Sequence, residues 1–553
     1  MDCKNELRKF TQASSRLNSK PLKSLHAMPY KEALTAYTPQ LSPTFRVQSD
    51  EKLLETYHPD SFTEVRVCLD IGANKGDLCQ LQVARMLQSD SLVDDSVLNE
   101  AHIVDIDVLV LGGGGAGCAA ALSAAYEGAN VMLATKLGLG DSNTVMAEGG
   151  IQAAVAKNDS PQQHFNDILK NARQHVNTEL VAKLVLDAPN VIAWLIEQGM
   201  NFDVDSMGEL CVRRSGGSSS SRVLSCKDYT GLEMMRALKE GVRNSRIGIR
   251  EYSPVIELLS NASGSCTGAI LGSLDRNGFT LVRAKSVILA SGGIGRIHIN
   301  GFPTSNHFGA TGDGLVLAYR LGVKLTDLDS FQYHPTGLAH PYNYLGRLIT
   351  EAIRSSGACL LNACGERFVD ELSSRDIVSA AILRECKQGR GIDAGNGVVG
   401  VWLDTPGLEL KSPGLLERGF PKLIALGEKI GSDPRVSPLL VYPTLHYQNG
   451  GVVIDEIGCT TVPGLYCVGE LSGGIHGRNR LMGNALLDII SFGRSAGHDA
   501  GKRAHSQKFG EISLGHVKKH RQELLDANLS LANKAPVLFP EYVNFDPLSS
   551  LGR

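Results

Sequence analysis

The clearest pattern in the chain is a change of apolar period just after residue 105. Residues 106–111 read IDVLVL, an apolar run short enough for a buried strand. A glycine cluster follows at 112–117, then a run of small residues from Cys118 to Glu127 that predicts a tightly packed helix. Asn130 to Ala134 predict a second strand, so this stretch reads strand, turn, helix, strand. Between residues 161 and 198 the period becomes helical, with Leu180, Val181, Leu184, Val185, Val191, Ile192, Leu195 and Ile196 at helix-compatible spacings. Residues 245–289 alternate better, carry turn signals at 261–264 and 275–278, and end in an apolar strand from Ser286 to Ala290.

Other regions are less patterned. Residues 11–50 are rich in Ser, Thr, Pro and Lys. Val65 to Leu69 predict a short strand, and residues 74–98 a helix. Residues 328–445 change texture to mixed helix and loop with more Arg and Cys, and the glycine-rich texture returns after 445. The expected division is an N-terminal extension (1–100), a first part of a nucleotide-binding domain (101–327), a capping domain (328–445), the second part of the first domain (446–500) and a short tail (501–553). The fold class expected is α/β, a dinucleotide-binding fold with an inserted α+β capping domain.

Composition narrows the function classes. With 553 residues, 42% hydrophobic and 20% charged, the chain is an ordinary globular protein of more than one domain. The net charge of -3 and the short basic run Lys518-Lys519-His520-Arg521 argue against nucleic acid. No run of about 18 apolar residues predicts a membrane span, and no secretory signal is visible. A cytoplasmic protein is expected, reaching a membrane only through partners. The 12 Cys form no CxxC pair, so no iron–sulfur cluster and no metal site of its own is expected.

Gly112-x-Gly114-x-x-Gly117 sits between a strand and a helix, where the first glycine makes the turn, the second admits a pyrophosphate and the third lets the helix pack. The strand that follows ends Ala134-Thr135-Lys136, without the acid that would hold the ribose of NAD. Further glycine pairs at Gly149-Gly150 and Gly292-Gly293 supply separated backbone contacts, as a long flavin dinucleotide requires.

Together these motifs resemble the flavoprotein subunits of succinate dehydrogenase and fumarate reductase, and L-aspartate oxidase. The likeness runs from about residue 105 to 500 in order: VLVLGGGGAG from Val108, AEGG from Ala147, SGG from Ser215, DYTG from Asp228, SGG from Ser291 and TGDG from Thr311. It continues with QYHPTG from Gln332, TEA from Thr350, SRD from Ser374, HYQNGG from His446, VGE from Val468 and HGRNRLMGNALL from His476. The resemblance implies FAD. It implies cofactor contacts at Lys136, Ser142, Thr144, Gly149, Gly150, Gly292, Asp313, Asn484 and Leu486, with Glu470 on the adenosine ribose. Where membrane-linked members carry a flavin-linking His, this chain has Asn143, so non-covalent FAD is expected.

The same resemblance implies a small dicarboxylate substrate and reduction of fumarate to succinate, or the reverse. L-aspartate oxidase or another flavin dehydrogenase is the alternative. His334, His446 and Arg480 are the implied carboxylate ligands, with Thr350 an added donor, Arg375 the proton donor, and Glu351 and Arg354 its relay. Taken singly, each has a plain structural reading: His334 a turn cap, His446 a core histidine, Arg375 a helix-start pair with Asp376, Glu351 and Arg354 an ordinary helix pair. Two departures from the family stand out. Ala352, Ile353, Ser355 and Ser356 replace its usual loop, and a hydroxyl run, Ser218 to Ser221, is a further candidate to alter substrate fit. A separate iron–sulfur protein subunit is the implied electron partner, with residues 1–100 expected in its contact.

Overall fold

The structure is a computed structural model and describes residues 39–540 except 43, 46–48, 63–64, 101, 174, 276–277 and 395–396. Among the described residues two seven-stranded sheets dominate. The first runs in the order Val255–Ser260, Cys266–Leu271, Thr280–Leu289, His102–Leu111, Val131–Ala134, Gly248–Arg250, and Leu465–Cys467 joins it on Thr280–Leu289. Its centre is parallel, with Val108 beside Val131 on one side and Ser286 on the other. Val108 to Leu111 are buried without alternation because the sheet is covered on both faces.

Strand His102–Leu111 leads through the glycine turn into helix Gly115–Tyr126. A second helix, Asn484–Ala504, lies along it in the same direction. Gly493, Gly497 and Gly501 make that approach possible. A Cβ at these positions would lie 2.8, 2.2 and 2.9 Å from the carbonyl oxygens of Ala116, Ala120 and Ala124. With Gly493 set beside Ala116, helix Asn484–Ala504 begins about two turns before helix Gly115–Tyr126 does, so only the N-terminus of Gly115–Tyr126 lies at the glycine turn, and that of Asn484–Ala504 meets another part of the cavity.

The second sheet contains Phe331–Leu338, Cys359–Leu361, Glu366–Arg367, Ile392–Asp393, Val399–Asp404 and Leu439–Gln448, with Gln40–Leu41 at its edge. Gln40–Leu41 apart, its strands fall in the chain between strands of the first sheet, so the first fold is interrupted and resumed. An α+β cap was expected for 328–445, but its texture of mixed helix and loop located none of these strands. Every residue of Phe331–Leu338 is buried, so the alternation that would have marked a strand is absent. Strand Leu439–Gln448 crosses the boundary expected at 445 and delivers His446 from the second sheet.

The N-terminal segment is built into the body. Leu53 in helix Asp50–Tyr57 packs with Ile377, Ala380 and Ala381, and the Asp60 carboxylate accepts the Phe331 N–H at 2.7 Å. Arg66–Cys68 is a strand, and helix Leu81–Leu87 packs against Asp313–Arg320. Among the described residues from 49 to 100 most apolar side chains, though not Leu78 and Leu92, are used on this chain's own core. Residues 1–38, which hold most of the Ser/Thr/Pro/Lys-rich stretch, lie outside the described residues, as do 541–553.

Candidate active site

One continuous cavity runs from the glycine turn, between the two sheets, to the buried histidines of the second sheet. Missing side chains shape its first part. Gly112 has φ +128°, and a Cβ there would lie 2.2 Å from Ala290 O. Gly114 faces Ser142 and Thr144, and Thr144 Oγ1 accepts the Gly115 N–H at 3.2 Å. Gly150 has φ +116° and lies against Leu224 O, while Gly292 faces open space. Gly117 does not line the cavity. Its absent Cβ lets the helix pack on Gly112, where that atom would sit 1.8 Å from the carbonyl oxygen.

At the end of the second strand, Lys136 Nζ donates to Thr311 Oγ1 and Asp313 Oδ2, both at 2.7 Å. Burial pushes the Asp313 carboxyl up, and the Lys136 ammonium opposes that. On the other arm Asn143 is fully engaged. Its amide donates to Asn306 Oδ1 at 2.9 Å and Glu470 Oε2 at 3.0 Å, and its oxygen accepts the His307 N–H at 2.6 Å. Glu470 also accepts the backbone N–H of Gln448 at 3.1 Å, two residues from His446. Glu470 thus lines the cavity on the substrate side, held by the strand that carries His446. The contact with the adenosine ribose expected of Glu470 would be made from this position, and the Lys136–Asp313 pair is a second charged group in the lining.

The far end is built from charge. Arg375 opens helix Arg375–Lys387 and donates from Nε to Glu351 Oε2 at 2.8 Å and from Nη1 to Gln332 Oε1 at 3.0 Å. Glu351 also meets Arg354 at 3.2 Å and accepts the Gly216 N–H at 3.0 Å. Burial alone would raise Glu351, but Arg375 and Arg354 outweigh it and hold the carboxyl below its usual range. Arg480 lies 4.2 Å over the Tyr447 ring and donates to the same Gln332 oxygen at 3.1 Å. Burial and the like charge of Arg375 lower Arg480 to about 10. Three buried guanidiniums, Arg375, Arg354 and Arg480, outnumber the carboxylates Glu351 and Glu470 beside them, so this end is rich in positive charge.

His334 and His446 stand with ring centroids 5.1 Å apart. Burial, then the nearby arginines, holds both well below the ordinary histidine value, so they are neutral. Nδ1 of His334 accepts the Thr336 N–H at 3.2 Å, which leaves Nε2 as its donor. His446 Nδ1 shares a hydrogen bond with Ser305 Oγ at 2.8 Å. Thr350 lines the cavity beside Glu351.

The cavity thus gathers Gly112, Gly114, Lys136, Ser142, Thr144, Gly149, Gly150, Gly292, Asp313, Glu470 and Leu486 with His334, Thr350, Glu351, Arg375, His446 and Arg480. Arg354 stands behind Glu351 without lining it. Asn484 does not line it either, because its Oδ1 is engaged with His164 Nε2 at 2.9 Å, and Gly483, Ala485 and Leu486 face the cavity instead. The hydroxyl run turns away too: Ser218 bonds Ser215 and Gln152, and Ser219 bonds Asp167. Asp376 pairs with Arg173 rather than with Arg375. The sequence does not single out Gln332 or Ser305 as site residues, although Gln332 opens the QYHPTG motif.

Comparison with known proteins agrees with this geometry. The model of the FAD binding domain family matches residues 107–486. The chain is 40% identical to a fumarate reductase (CoM/CoB) subunit of Methanothermobacter marburgensis over 74% of each chain. It is 36% identical to the L-aspartate oxidase of Streptomyces coelicolor, over 71% of this chain and 69% of that one. Among solved structures, FrdA of the quinol fumarate reductase of E. coli superposes with a TM-score of 0.70 at 30% identity, covering 77% of this chain and 75% of that one. The glycine cradle and the N-terminus of helix Gly115–Tyr126 fit the pyrophosphate of FAD.

Proposed function

Because this chain belongs to the FAD-binding oxidoreductase family that includes fumarate reductase subunits and L-aspartate oxidase, we propose that it interconverts fumarate and succinate on a non-covalently held FAD. The observation that carries the reading is the set of buried guanidiniums and neutral histidine donors at the far end of the cavity, which suits a substrate bearing carboxylates. Arg480 and the neutral donors His334, His446 and Thr350 would take the two carboxylates, and their pull would make the alkene electrophilic. Bound FAD would supply a hydride from N5 to one alkene carbon. Arg375 would give a proton to the other carbon, leaving succinate. Its guanidinium is aimed by Glu351 and Gln332, and Glu351, backed by Arg354, would return the proton. An arginine has too high a pKa to act as a free acid. It serves here because it is held where a carbanion forms.

Non-covalent binding is supported by Asn143, an amide with no nucleophilic ring nitrogen, engaged with Glu470, Asn306 and His307. L-aspartate would bring the same two carboxylates plus an ammonium. The carboxylates that line the cavity already have partners: Glu148 with Lys422, Glu351 with Arg375, Asp313 with Lys136, Glu470 with Asn143, and Asp141 with the Gly138 N–H. This favours fumarate. Relatives named as parts of fumarate reductases support a separate iron–sulfur protein as the electron partner. No described helix is long and apolar enough to cross a membrane, so membrane contact would come through that partner. The test is a steady-state comparison: fumarate-dependent oxidation of a reduced dye against iminoaspartate formation from L-aspartate. Turnover with aspartate and none with fumarate would overturn the reading.

A further inference from the structure

The nucleotide end of the cavity has a roof that the reaction does not require. Lys136 and Leu137 form one side of its rim, and the turn at 307–310 the other. Gly309 brings the two sides together: a Cβ there would meet Leu137 at 3.4 Å and Lys136 at 3.6 Å. Phe308 projects from that turn between two lining residues and is 41% exposed. The far C-terminal part of the described chain lies over it. Phe539 stacks on Phe308 with ring centroids 5.7 Å apart, and Lys136 Nζ stands 5.9 Å from the Phe539 centroid. Phe539 therefore touches both sides of the rim.

The segment that carries Phe539 is anchored more firmly than a loose tail needs. Lys534–Ala535 pairs in parallel with Asp90–Ser91. Lys534 Nζ bonds Asp90 at 2.5 Å, and Arg521 pairs with the same carboxylate at 2.9 Å. The fully buried Arg320 donates to Ala535 O at 2.9 Å and is ion-paired with Glu257. Leu538 packs on Val93, Val97, Ile256 and Leu259. Arg320 ends the helix that Asp313 begins. One rigid element thus joins the Lys136–Asp313 pair at the cavity to the anchor of the strap.

We propose that residues 534–540 form a strap over the nucleotide end of the cavity, and that Phe539 retains FAD there in the absence of a covalent link. This rests on the reading of non-covalent FAD. Stacking on Phe308 and the face-on cation at Lys136 close the rim against escape of the adenosine end. Pairing with strand Asp90–Ser91 also makes the described N-terminal segment a part of cofactor retention.

The test uses the full-length holoprotein. Release of FAD after dilution is followed by the recovery of flavin fluorescence, in wild type, Phe539→Ala, Phe539→Tyr and Lys534→Ala. Melting of each apoprotein checks that it is folded. Release at least about tenfold faster in Phe539→Ala, restored in Phe539→Tyr, is the expected result. Lys534→Ala, which loosens the anchor without touching the rim, accelerates release to a smaller extent and carries the test if Phe539→Ala does not fold. Wild-type release rates in folded Phe539→Ala and Lys534→Ala overturn the strap while leaving the flavin chemistry standing. Flavin that stays with acid-precipitated protein overturns non-covalent binding and the strap together.

Discussion

The two ends of the cavity are made of opposite materials. The cofactor end is built from backbone and from side chains that are missing: Gly112, Gly114, Gly150 and Gly292, with the N-terminus of helix Gly115–Tyr126 at the glycine turn. The substrate end is built from the longest charged side chains in the protein, buried and cross-braced through Glu351 and Gln332. The first holds a large ligand by shape and by fixed dipoles, with Lys136–Asp313 as a balanced pair. The second is rich in positive charge, which suits a small substrate bearing carboxylates. Damage at the first end should therefore act on affinity for FAD, and damage at the second on turnover.

The largest effect expected is at Arg375. Arg375→Ala removes the proton donor and should lower kcat by about 1000-fold or more while FAD stays bound. Near-normal kcat in a flavin-loaded variant would break the division of roles. Gly112→Ala should act the opposite way. Its φ of +128° and a Cβ 2.2 Å from Ala290 O force the turn apart, and FAD should bind about 100-fold more weakly. Titration of the apoprotein with FAD measures this, and an unchanged affinity would show that the cradle yields.

Smaller effects sharpen the picture. Ser305→Ala removes the partner of His446 Nδ1 and should lower kcat/KM by up to about tenfold with FAD binding unmoved. Steady-state kinetics on the flavin-loaded variant reads it. The pH dependence comes last. Burial holds His334 and His446 well below the ordinary histidine value in the folded protein, so kcat/KM should show no histidine limb near that ordinary value. Stability is different. His58, His164 and His520 are lowered by burial to about 4 from an ordinary value of 6.5. Below 6.5 the unfolded chain takes up protons that the folded one refuses. These three histidines should make stability fall as the pH drops from 6.5 toward 4, offset in part by Asp60, whose carboxyl burial raises to about 7 and which therefore gains stability as the pH falls below that value. The Tm against pH shows it.

How far the sequence could be read follows the same contrast. The cofactor end was legible because its rule is local: a strand, glycines at fixed offsets, then a helix, all within residues 106–127. The charged residues of the substrate end were reached through motifs rather than through periodicity. What joins them was not legible. Gln332 meets Arg480 across 148 positions, and Ser305 meets His446 across 141, so only the packed fold brings them together. The second sheet was hidden because strand Phe331–Leu338 is buried on both faces. Asn484 reads as a cofactor contact through the HGRNRLMGNALL motif, yet His164 takes its side-chain oxygen.

The most direct measurement is a single turnover. The holoprotein is reduced anaerobically, freed of reductant and mixed with fumarate while the flavin absorbance is followed. The account predicts full reoxidation of the flavin with one succinate formed per FAD, and flavin that remains reduced with Arg375→Ala. Wild-type flavin that stays reduced in excess fumarate would contradict it.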